Sequence, residues 1–441
     1  MKYIRYYKNK DVGILGAGLS GMAAAKILLN SKAKVFIFDD NKDKPDFIKK
    51  HNWKNYNLWP WENLTTLIVS PGIPVNSTKK HNAIKLAIKN KVKIINEIDL
   101  FVETKPKARI IGITGTNGKS TTVALLFHIL KFNKIKCTIG GNYGFPACEI
   151  KDPGKNGIII LELSSYQLEG TKKLNLEVAS ITNITPDHLE FHETFYKYKL
   201  SKLKIIKFLK TNGTFILNTN NKLLNEEVNN KVFQSKNIIK IKNYKVKNYI
   251  NDNDYLKGSH NKINGSIAIS IAKYLNITNV KIKKAIKDFK GLPHRMEPLL
   301  ISDKIKIIND SKSTNGESTA AALQSFENIF WIAGGQPKSG GIGESKKFLD
   351  KVIEVFLIGK STNYFCGEIT RSKKDLPIHN CLTLEKATQL ALEKGITSNL
   401  KSYVILLSPS AASFDQFKNF EERGNKFKAI INEQLNQGLI K

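Results

Sequence analysis

The sequence predicts an α/β protein of three domains, each built on a mainly parallel sheet. Short apolar runs alternate with helical stretches along the chain, the mark of strand–helix–strand repetition. At 441 residues the chain exceeds one ordinary core, since domains usually hold roughly 100–200 residues. Glycine-rich turns also follow the first strand of each of the first two series. The composition, 41% hydrophobic and 24% charged, is that of a globular protein, without a low-complexity tract or short repeat.

The first series has strand-like runs at Val12–Leu15, Val35–Phe38, Thr66–Val69 and Lys93–Ile95 and makes a first domain of 1–98. The second runs through Arg109–Ile113, Gly157–Leu161 and Val178–Asn183 to the turn at Gly291-Leu292-Pro293, giving 99–292. The third, 293–441, holds Ile305–Asn309, Phe330–Ala333, Val355–Ile358 and Tyr403–Leu407. The Lys/Asn-rich stretch Asn220–Asn253 reads as peripheral structure. The basic start to Lys10 and the apolar Val12–Ala25 resemble a signal peptide superficially. Glycines at nucleotide-loop spacing and a following strand ending in Asp39 favour a first βαβ unit instead.

The net charge is +32, which raises the question of nucleic acid. The excess is nearly all lysine, with arginine only at 5, 109, 295, 371 and 423. A base-reading surface favours the bidentate arginine fork, so compositional drift explains the charge better and no nucleic-acid partner is expected. The field still suits anionic small molecules. Cys137, Cys148, Cys366 and Cys381 lie far apart without a CxxC pair, against a zinc ribbon or disulfide scaffold and in keeping with a reducing compartment. No apolar run reaches transmembrane length.

The strongest motif is Gly112-Ile-Thr-Gly-Thr-Asn-Gly-Lys-Ser-Thr121, after an apolar strand and opening a helix near Lys119. Its backbone N–H groups can wrap a phosphate, Lys119 adds a point charge, and the Ser120 hydroxyl can hold Mg²⁺. Ile113 stands where a strict phosphate loop has its first glycine. Glu162 follows the strand Ile158–Leu161, at the strand end where an α/β sheet meets its ligand. Alone, it fits a structural polar cap as well as a metal ligand; its place one strand after the phosphate loop favours metal. His188, in Thr185-Pro-Asp-His-Leu-Glu190 after Ile181–Ile184, belongs to a third strand end at the same edge. Gly16-Ala-Gly-Leu-Ser-Gly21 with Asp39 matches the dinucleotide fingerprint, but a dehydrogenase leaves the later motifs unexplained.

Thr114-Gly-Thr-Asn-Gly-Lys119, Gly140-Gly-Asn-Tyr-Gly144, Glu162-Leu-Ser-Ser165, Asp187-His188 and Gly291-Leu-Pro-His-Arg295 occur in the order seen in the Mur ligase family, which this chain resembles from about Gly13 to Phe427. The run Leu407–Phe420 with Glu422-Arg-Gly-Asn425 resembles the D-glutamate-adding branch, and the Asp-Asn-Pro-Arg motif of the diaminopimelate- or lysine-adding branch is absent. Folylpolyglutamate synthetase and a nucleotide-binding regulator without catalysis are the other readings; Lys119, Glu162, His188 and Lys202 speak against the second. The resemblance implies a Rossmann-like N-terminal domain, a central P-loop ATPase-like parallel sheet and a Rossmann-like C-terminal domain. It implies a cytoplasmic, monomeric enzyme joining D-glutamate to UDP-N-acetylmuramoyl-L-alanine. ATP phosphorylates the substrate carboxylate, and the amine attacks the acyl phosphate, with magnesium and lysines neutralising charge.

By the same resemblance, ATP meets Gly115, Thr116, Asn117, Gly118, Lys119, Ser120 and Thr121, with Asn261 and Asn264 near adenine and Arg295, Asp310 and Lys312 reaching back to the nucleotide. Ser259 replaces the usual Gln. Two Mg²⁺ ions are implied, one at Ser120 and Glu162 and the other at His188 and Lys202. A protonated lysine cannot ligate a metal, and the family carries a carbamylated lysine, formed with CO₂, in the segment matching Tyr198–Lys204. The resemblance places it at Lys202, with Lys199 and Lys204 as neighbouring alternatives. The UDP-substrate is expected at Gly18, Leu19 and Ser20, with Asp39 and Asp40 on the uracil side, Ser70, Pro71 and Gly72 facing, and Asn142 and His188 nearer the reactive carboxylate. Glutamate is expected at Thr314, Lys338, Ser413, Phe414 and Phe420. Gly334-Gly-Gln-Pro-Lys338 replaces the family's common Gly-Gly-Asp-Gly-Lys, so Gln336 and Pro337 alter the neighbourhood of Lys338.

Overall fold

The structure, a computed structural model, describes residues 2–41, 53–227, 237–241, 247–250, 253–256, 258–337 and 340–437. The chain forms two compact units: Met1–Lys245 with Ile263–Ala285, and Val246–Lys262 with Ile286–Lys441.

The first unit carries two parallel sheets among its described residues. One has the order β2-β1-β3-β4, from β1 (Asp11–Leu15), β2 (Lys34–Phe38), β3 (Leu64–Val69) and β4 (Lys93–Ile95). The other comprises β5 (Arg109–Thr114), β6 (Cys137–Gly141), β7 (Ile158–Glu162), β8 (Leu176–Ile181), β9 (Leu209–Asn218) and β10 (Asn237–Ile241), in the order β10-β9-β8-β5-β7-β6. Its middle strands β5, β7 and β8 are apolar and almost wholly buried, as expected where helices cover both faces of a parallel sheet. In each sheet a loop after a central strand opens at the carboxyl edge, between strands whose connections leave in opposite directions.

The second unit has β11 (Glu297–Ile301), β12 (Ile305–Asn309), β13 (Ile329–Gly334), β14 (Val352–Ile358), β15 (Ile378–Leu382) and β16 (Tyr403–Leu407), in the order β11-β12-β16-β13-β14-β15. Only β11, at the edge, runs antiparallel among them.

The strand runs expected from sequence coincide with β1–β5, β7, β8, β12–β14 and β16 to within a few residues. One difference bears on the site: β8 ends at Ile181, so Thr182 and Asn183 are loop residues free to turn toward β5. The sequence reading passed over β6, β9, β10, β11 and β15. Four of these are sheet edges and β9 lies beside one, and several carry Gly, Thr, Lys or His where apolar side chains would have announced them. In Asn220–Asn253, the described part includes the helix Lys222–Glu227 and β10.

The two sheets of the first unit share one core, running from Ile4 and Tyr7 through Ile110 and Leu161 to Phe215 and Leu224. A buried polar joint reinforces it. Asn96 caps the helix Glu97–Glu103 in a reciprocal capping box with Asp99, while its Nδ2 donates to Gln167 O at 2.8 Å and Thr171 Oγ1 at 3.0 Å. Asp99 Oδ1 accepts from the backbone N–H of Lys172 and Lys173, each at 2.7 Å. Asn96→Ala removes the cap acceptor and both side-chain hydrogen bonds that reach across to the second sheet's side, where Gln167 O keeps its bonds from Thr171. It should destabilise the first unit by about 2–3 kcal/mol, read as a lower urea midpoint for the transition that unfolds this unit.

Candidate active site

The phosphate-type loop joins β5 to the helix Lys119–Phe132. Gly118, with φ 80°, forms the helix N-cap, and a Cβ there would stand 2.1 Å from Asn264 Oδ1. Gly115 has φ 151°, and its Cβ would stand 1.8 Å from Thr182 Oγ1. This close approach lets the loop after β8 brace the phosphate loop. Thr116 N–H donates to Asn183 O at 2.9 Å, Asn117 N–H to Asn183 Oδ1 at 2.9 Å, and Thr182 Oγ1 to Asn117 O at 2.5 Å. The Thr116 hydroxyl shares a 2.8 Å hydrogen bond with Tyr198 Oη.

Two lysines meet on this loop. Lys119 Nζ donates to Gly115 O at 2.9 Å and Thr116 O at 2.7 Å; Lys202 Nζ, from the helix Phe195–Lys207, donates to Gly115 O at 2.7 Å. Lys202 is only 2% exposed. Burial holds its amine well below the ordinary lysine range, Lys119 lowers it further, and Asp187 and Glu162 oppose the shift. Lys199 and Lys204 point elsewhere, to Glu227 Oε1 at 2.7 Å and Glu169 O at 2.9 Å. Geometry therefore brings Lys202, of the three neighbouring lysines, to the loop.

Glu162 ends β7 and is 1% exposed. Its Oε1 accepts from Asn142 Nδ2 at 2.7 Å, while Oε2 is buried without a hydrogen-bond partner. A buried, unpartnered carboxylate oxygen is costly, and it is the kind of atom a cation satisfies. Ser120 is buried one residue beyond Lys119. The donor set Ser120, Glu162, His188 and Lys202 thus fits a hard cation once Lys202 offers oxygen rather than N–H. Among the described residues no group of three or more His, Cys, Asp or Glu is disposed to hold a metal.

His188 occupies the left-handed region, φ 54° and ψ 36°, at the start of the short helix Leu189–His192. Asp187 Oδ1 accepts from its N–H at 2.9 Å, and the ring packs near Tyr166 and Tyr198. His192 lies beneath, Nε2 2.9 Å from Ser165 Oγ; burial first, then Lys202 and His188, pull its pKa down to about 4, so it is neutral at pH 7. Asp187, Tyr166, Tyr198, Thr182 and Asn183 were not among the expected site residues. Their proximity arises from strand adjacency, which residue spacing does not encode.

At the first sheet, Gly16 follows β1 with φ 93°, and its carbonyl accepts from Ser70 Oγ at 2.8 Å. Ala17 N–H donates to Asp39 Oδ2 at 2.5 Å. Gly18 caps the helix Leu19–Asn30, Leu19 is 82% exposed, and Asp40 lies 3.5 Å from His81 Nε2. Gly18, Leu19, Ser20, Asp39, Asp40, Ser70, Pro71 and Gly72 therefore gather at the carboxyl ends of β1, β2 and β3. Asn142 lies beside Glu162.

In the second unit Asp310 follows β12 and is 7% exposed. Its Oδ2 accepts from Ser408 Oγ at 2.9 Å and its Oδ1 from Met296 N–H at 3.1 Å; burial pushes its pKa up to about 7 against these bonds and Arg295. Lys312 Nζ lies 3.8 Å from the centroid of the Phe420 ring, joining a residue expected for ATP to one expected for glutamate. Ser413 is buried, Thr314 half-buried and Phe414 69% exposed. Lys338 lies outside the described residues. Asn261 is buried; Asn264, also buried, belongs to the first unit, where it touches that unit's own phosphate loop. Arg423, part of the Glu422-Arg-Gly-Asn425 run, carried no expected role. Wholly buried, it donates to Ser311 O at 2.8 Å, Ser311 Oγ at 3.0 Å and Ala411 O at 3.1 Å, tying the loop after β12 to the loop after β16. Its rarity as one of five arginines was the available signal.

A family model described as the Mur ligase middle domain matches residues 113–282. The UDP-N-acetylmuramoylalanine-D-glutamate ligase of Rickettsia bellii is 33% identical, with 97% of this chain and 98% of that protein covered. Its namesakes from Rickettsia felis and Wolbachia pipientis are 35% and 34% identical, each covering 96% of this chain and respectively 97% and 96% of their own. Among solved structures, the UDP-N-acetylmuramate-alanine ligase MurC of Thermotoga maritima aligns with a TM-score of 0.57 at 16% identity, covering 96% of this chain and 99% of that one. The MurF ligase of Thermotoga maritima, solved with ADP, aligns at 0.57 and 15% over 98% of both chains. At such identities the two structures speak for the fold.

The buried Asp310 carries a pH signature. Its folded pKa of about 7 exceeds an unfolded value near ~4. It therefore stabilises the second unit below about pH 4, and that contribution is lost as pH rises through about 7. Asp310→Asn should flatten this part of the profile, so that its melting temperature gains on wild type between pH 5 and pH 8; parallel profiles would show that Asp310 is already ionised in the fold.

Proposed function

The chain belongs to the Mur ligase family, and we propose that its site joins the amine of D-glutamate to the L-alanyl carboxylate of UDP-N-acetylmuramoyl-L-alanine at the expense of ATP, in peptidoglycan precursor synthesis. Near-full-length identity to D-glutamate ligases carries this reading. The meeting of Lys119, Lys202 and Glu162 at the edge of one parallel sheet supplies matching chemistry.

With the Thr116 and Asn117 N–H groups held by Asn183, the N–H groups at the helix start, from Gly118 to Ser120, and the Lys119 ammonium are assigned to phosphate groups. Asn261 and Asn264 are assigned to adenine, and Arg295, Asp310 and Lys312 to the nucleotide or acyl-phosphate end. Gly18, Leu19, Ser20, Asp39, Asp40, Ser70, Pro71 and Gly72 take the UDP part of the substrate, while Asn142 and His188 hold the end bearing the carboxylate. Thr314, Lys338, Ser413, Phe414 and Phe420 receive D-glutamate, whose carboxylates suit hydroxyl and ammonium donors. Ser120, Glu162, His188 and Lys202 would hold two Mg²⁺ ions, which supply charge neutralisation for phosphoryl transfer.

Lys202 fits its assignment as a carbamate. Carbamylation needs the neutral amine, which burial favours; a nitrogen–carbon bond forms to CO₂ and a proton leaves, exchanging N–H donors for oxygen acceptors. The assigned domains are 1–98 for the UDP-substrate, 99–292 for ATP and 293–441 for the amino acid. The enzyme is assigned to the cytoplasm as a monomer with small-molecule substrates and no nucleic-acid partner. Among the described residues no helix is long and apolar enough to cross a membrane.

An amino-acid panel with UDP-N-acetylmuramoyl-L-alanine and ATP tests the activity by phosphate release and product mass. D-Glutamate should be preferred; preference for L-alanine, diaminopimelate or L-glutamate would move the enzyme to another branch.

Lys119→Ala should lower turnover by on the order of 10²-fold or more in a folded protein. Near-normal turnover would reject the phosphate-loop assignment.

Removal of CO₂ should lower wild-type activity and bicarbonate restore it, more clearly at mildly acidic pH. Lys202→Ala should abolish most activity while sparing UDP-substrate binding, with Lys199→Ala and Lys204→Ala milder. A severe Lys199→Ala would shift the modified lysine to that position.

A further inference from the structure

Tyr166 has none of the roles assigned above, yet its Oη lies 2.7 Å from His188 Nδ1. The two carboxylates flanking the same imidazole stand farther off, Glu190 Oε1 at 3.5 Å from Nδ1 and Asp187 Oδ2 at 3.5 Å from Nε2, outside good hydrogen-bond range. The tyrosine is itself held firmly. It stands in the helix Ser165–Gly170, whose start is locked by a capping box between Ser164 and Gln167. Its ring meets Phe191 edge-on at 4.2 Å and stacks on His192 at 5.7 Å.

A neutral imidazole has one N–H and one lone pair, so the partner of one nitrogen decides what the other can do. We propose that Tyr166 is a positioning residue: its Oη accepts from His188 Nδ1–H, which leaves Nε2, the nitrogen on the Asp187 side of the ring, with its lone pair for the reaction centre. This rests on the reading of His188 as a residue of that centre. The reverse arrangement, with the phenol donating to Nδ1, puts the proton on Nε2 and leaves no lone pair there for a cation. Partners of this kind fix tautomer and ring orientation, and their loss commonly costs roughly 10–100-fold in metal affinity or activity. The left-handed backbone at His188 adds reason for such a brace, because a ring carried on a strained residue has alternatives to be held against.

Long-range ¹H–¹⁵N correlation on the ¹⁵N-labelled full chain reads the tautomer directly, with His188→Gln identifying its signals among the eight histidines. Ligand-free wild type should show protonated Nδ1 and pyridine-type Nε2, and Tyr166→Phe, which keeps the ring contacts, should lose that pattern. Its kcat should fall about tenfold or more with KM for D-glutamate changed less than about twofold, and its half-saturating Mg²⁺ should rise. A protonated Nε2 in the wild type, or an unchanged tautomer and kcat in Tyr166→Phe, would overturn the proposal. Adding Mg²⁺ and ADP separates the two readings. A shifted Nε2 signal supports both, whereas an Nε2 that stays put while Nδ1–H persists removes His188 from the reaction centre without touching the Tyr166 contact.

Discussion

The carboxyl edge of the second sheet in the first unit depends on how closely Gly115 approaches Thr182. A Cβ at Gly115 would lie 1.8 Å from Thr182 Oγ1, so the loop after β5 can lie against the loop after β8 only without a side chain. That contact fixes the Gly115 carbonyl, on which Lys119 and Lys202 both converge from separate helices. Phosphate loop, buried lysine and the loop leading to His188 are thereby held by one piece of backbone geometry. Sterics, rather than any single strong bond, give the site its shape.

Upon this frame the protein buries ionisable groups where folding alone would not. Lys202 is buried with its amine beside another lysine, and Glu162 Oε2 is buried without a hydrogen-bond partner. Each arrangement costs stability; Lys202 recovers part of it through its bond to Gly115 O and the Tyr198 ring, whereas Glu162 Oε2 has no hydrogen bond to offset it. They make sense together if the site is completed by a cation and by conversion of the amine to an oxygen ligand. The cost then falls on the free protein and is recovered on binding.

The second unit follows the same logic with different groups. Asp310 is buried, and Arg423 beneath the neighbouring loops has its pKa lowered to about 10 by burial. Arg423 spends its donors on backbone carbonyls of the loops after β12 and β16, the two segments carrying most of the residues assigned to glutamate. A guanidinium can tie several carbonyls at once through its planar set of donors, which lysine cannot imitate. In a chain so rich in lysine, that accounts for an arginine at this position.

The sequence by itself determined the α/β class, most middle strands, the start of the helix at Lys119 and the identity of the chemical groups. These follow from local causes: apolar runs mark buried strands, and glycines mark turns that other residues resist. Glu162 at a strand end was legible for the same reason. Edge strands such as β6 and β15 were not, because their polar composition gives no strong period. Only the tertiary structure decided which of Lys199, Lys202 and Lys204 points to the phosphate loop, since all three sit on one basic helix and differ only in what lies opposite. It alone set Tyr166 against His188, although they are 22 positions apart, and Arg423 beneath Ser311 at 112. Local patterns record whether a residue is buried or turned; which distant group it then meets depends on strand order and helix orientation.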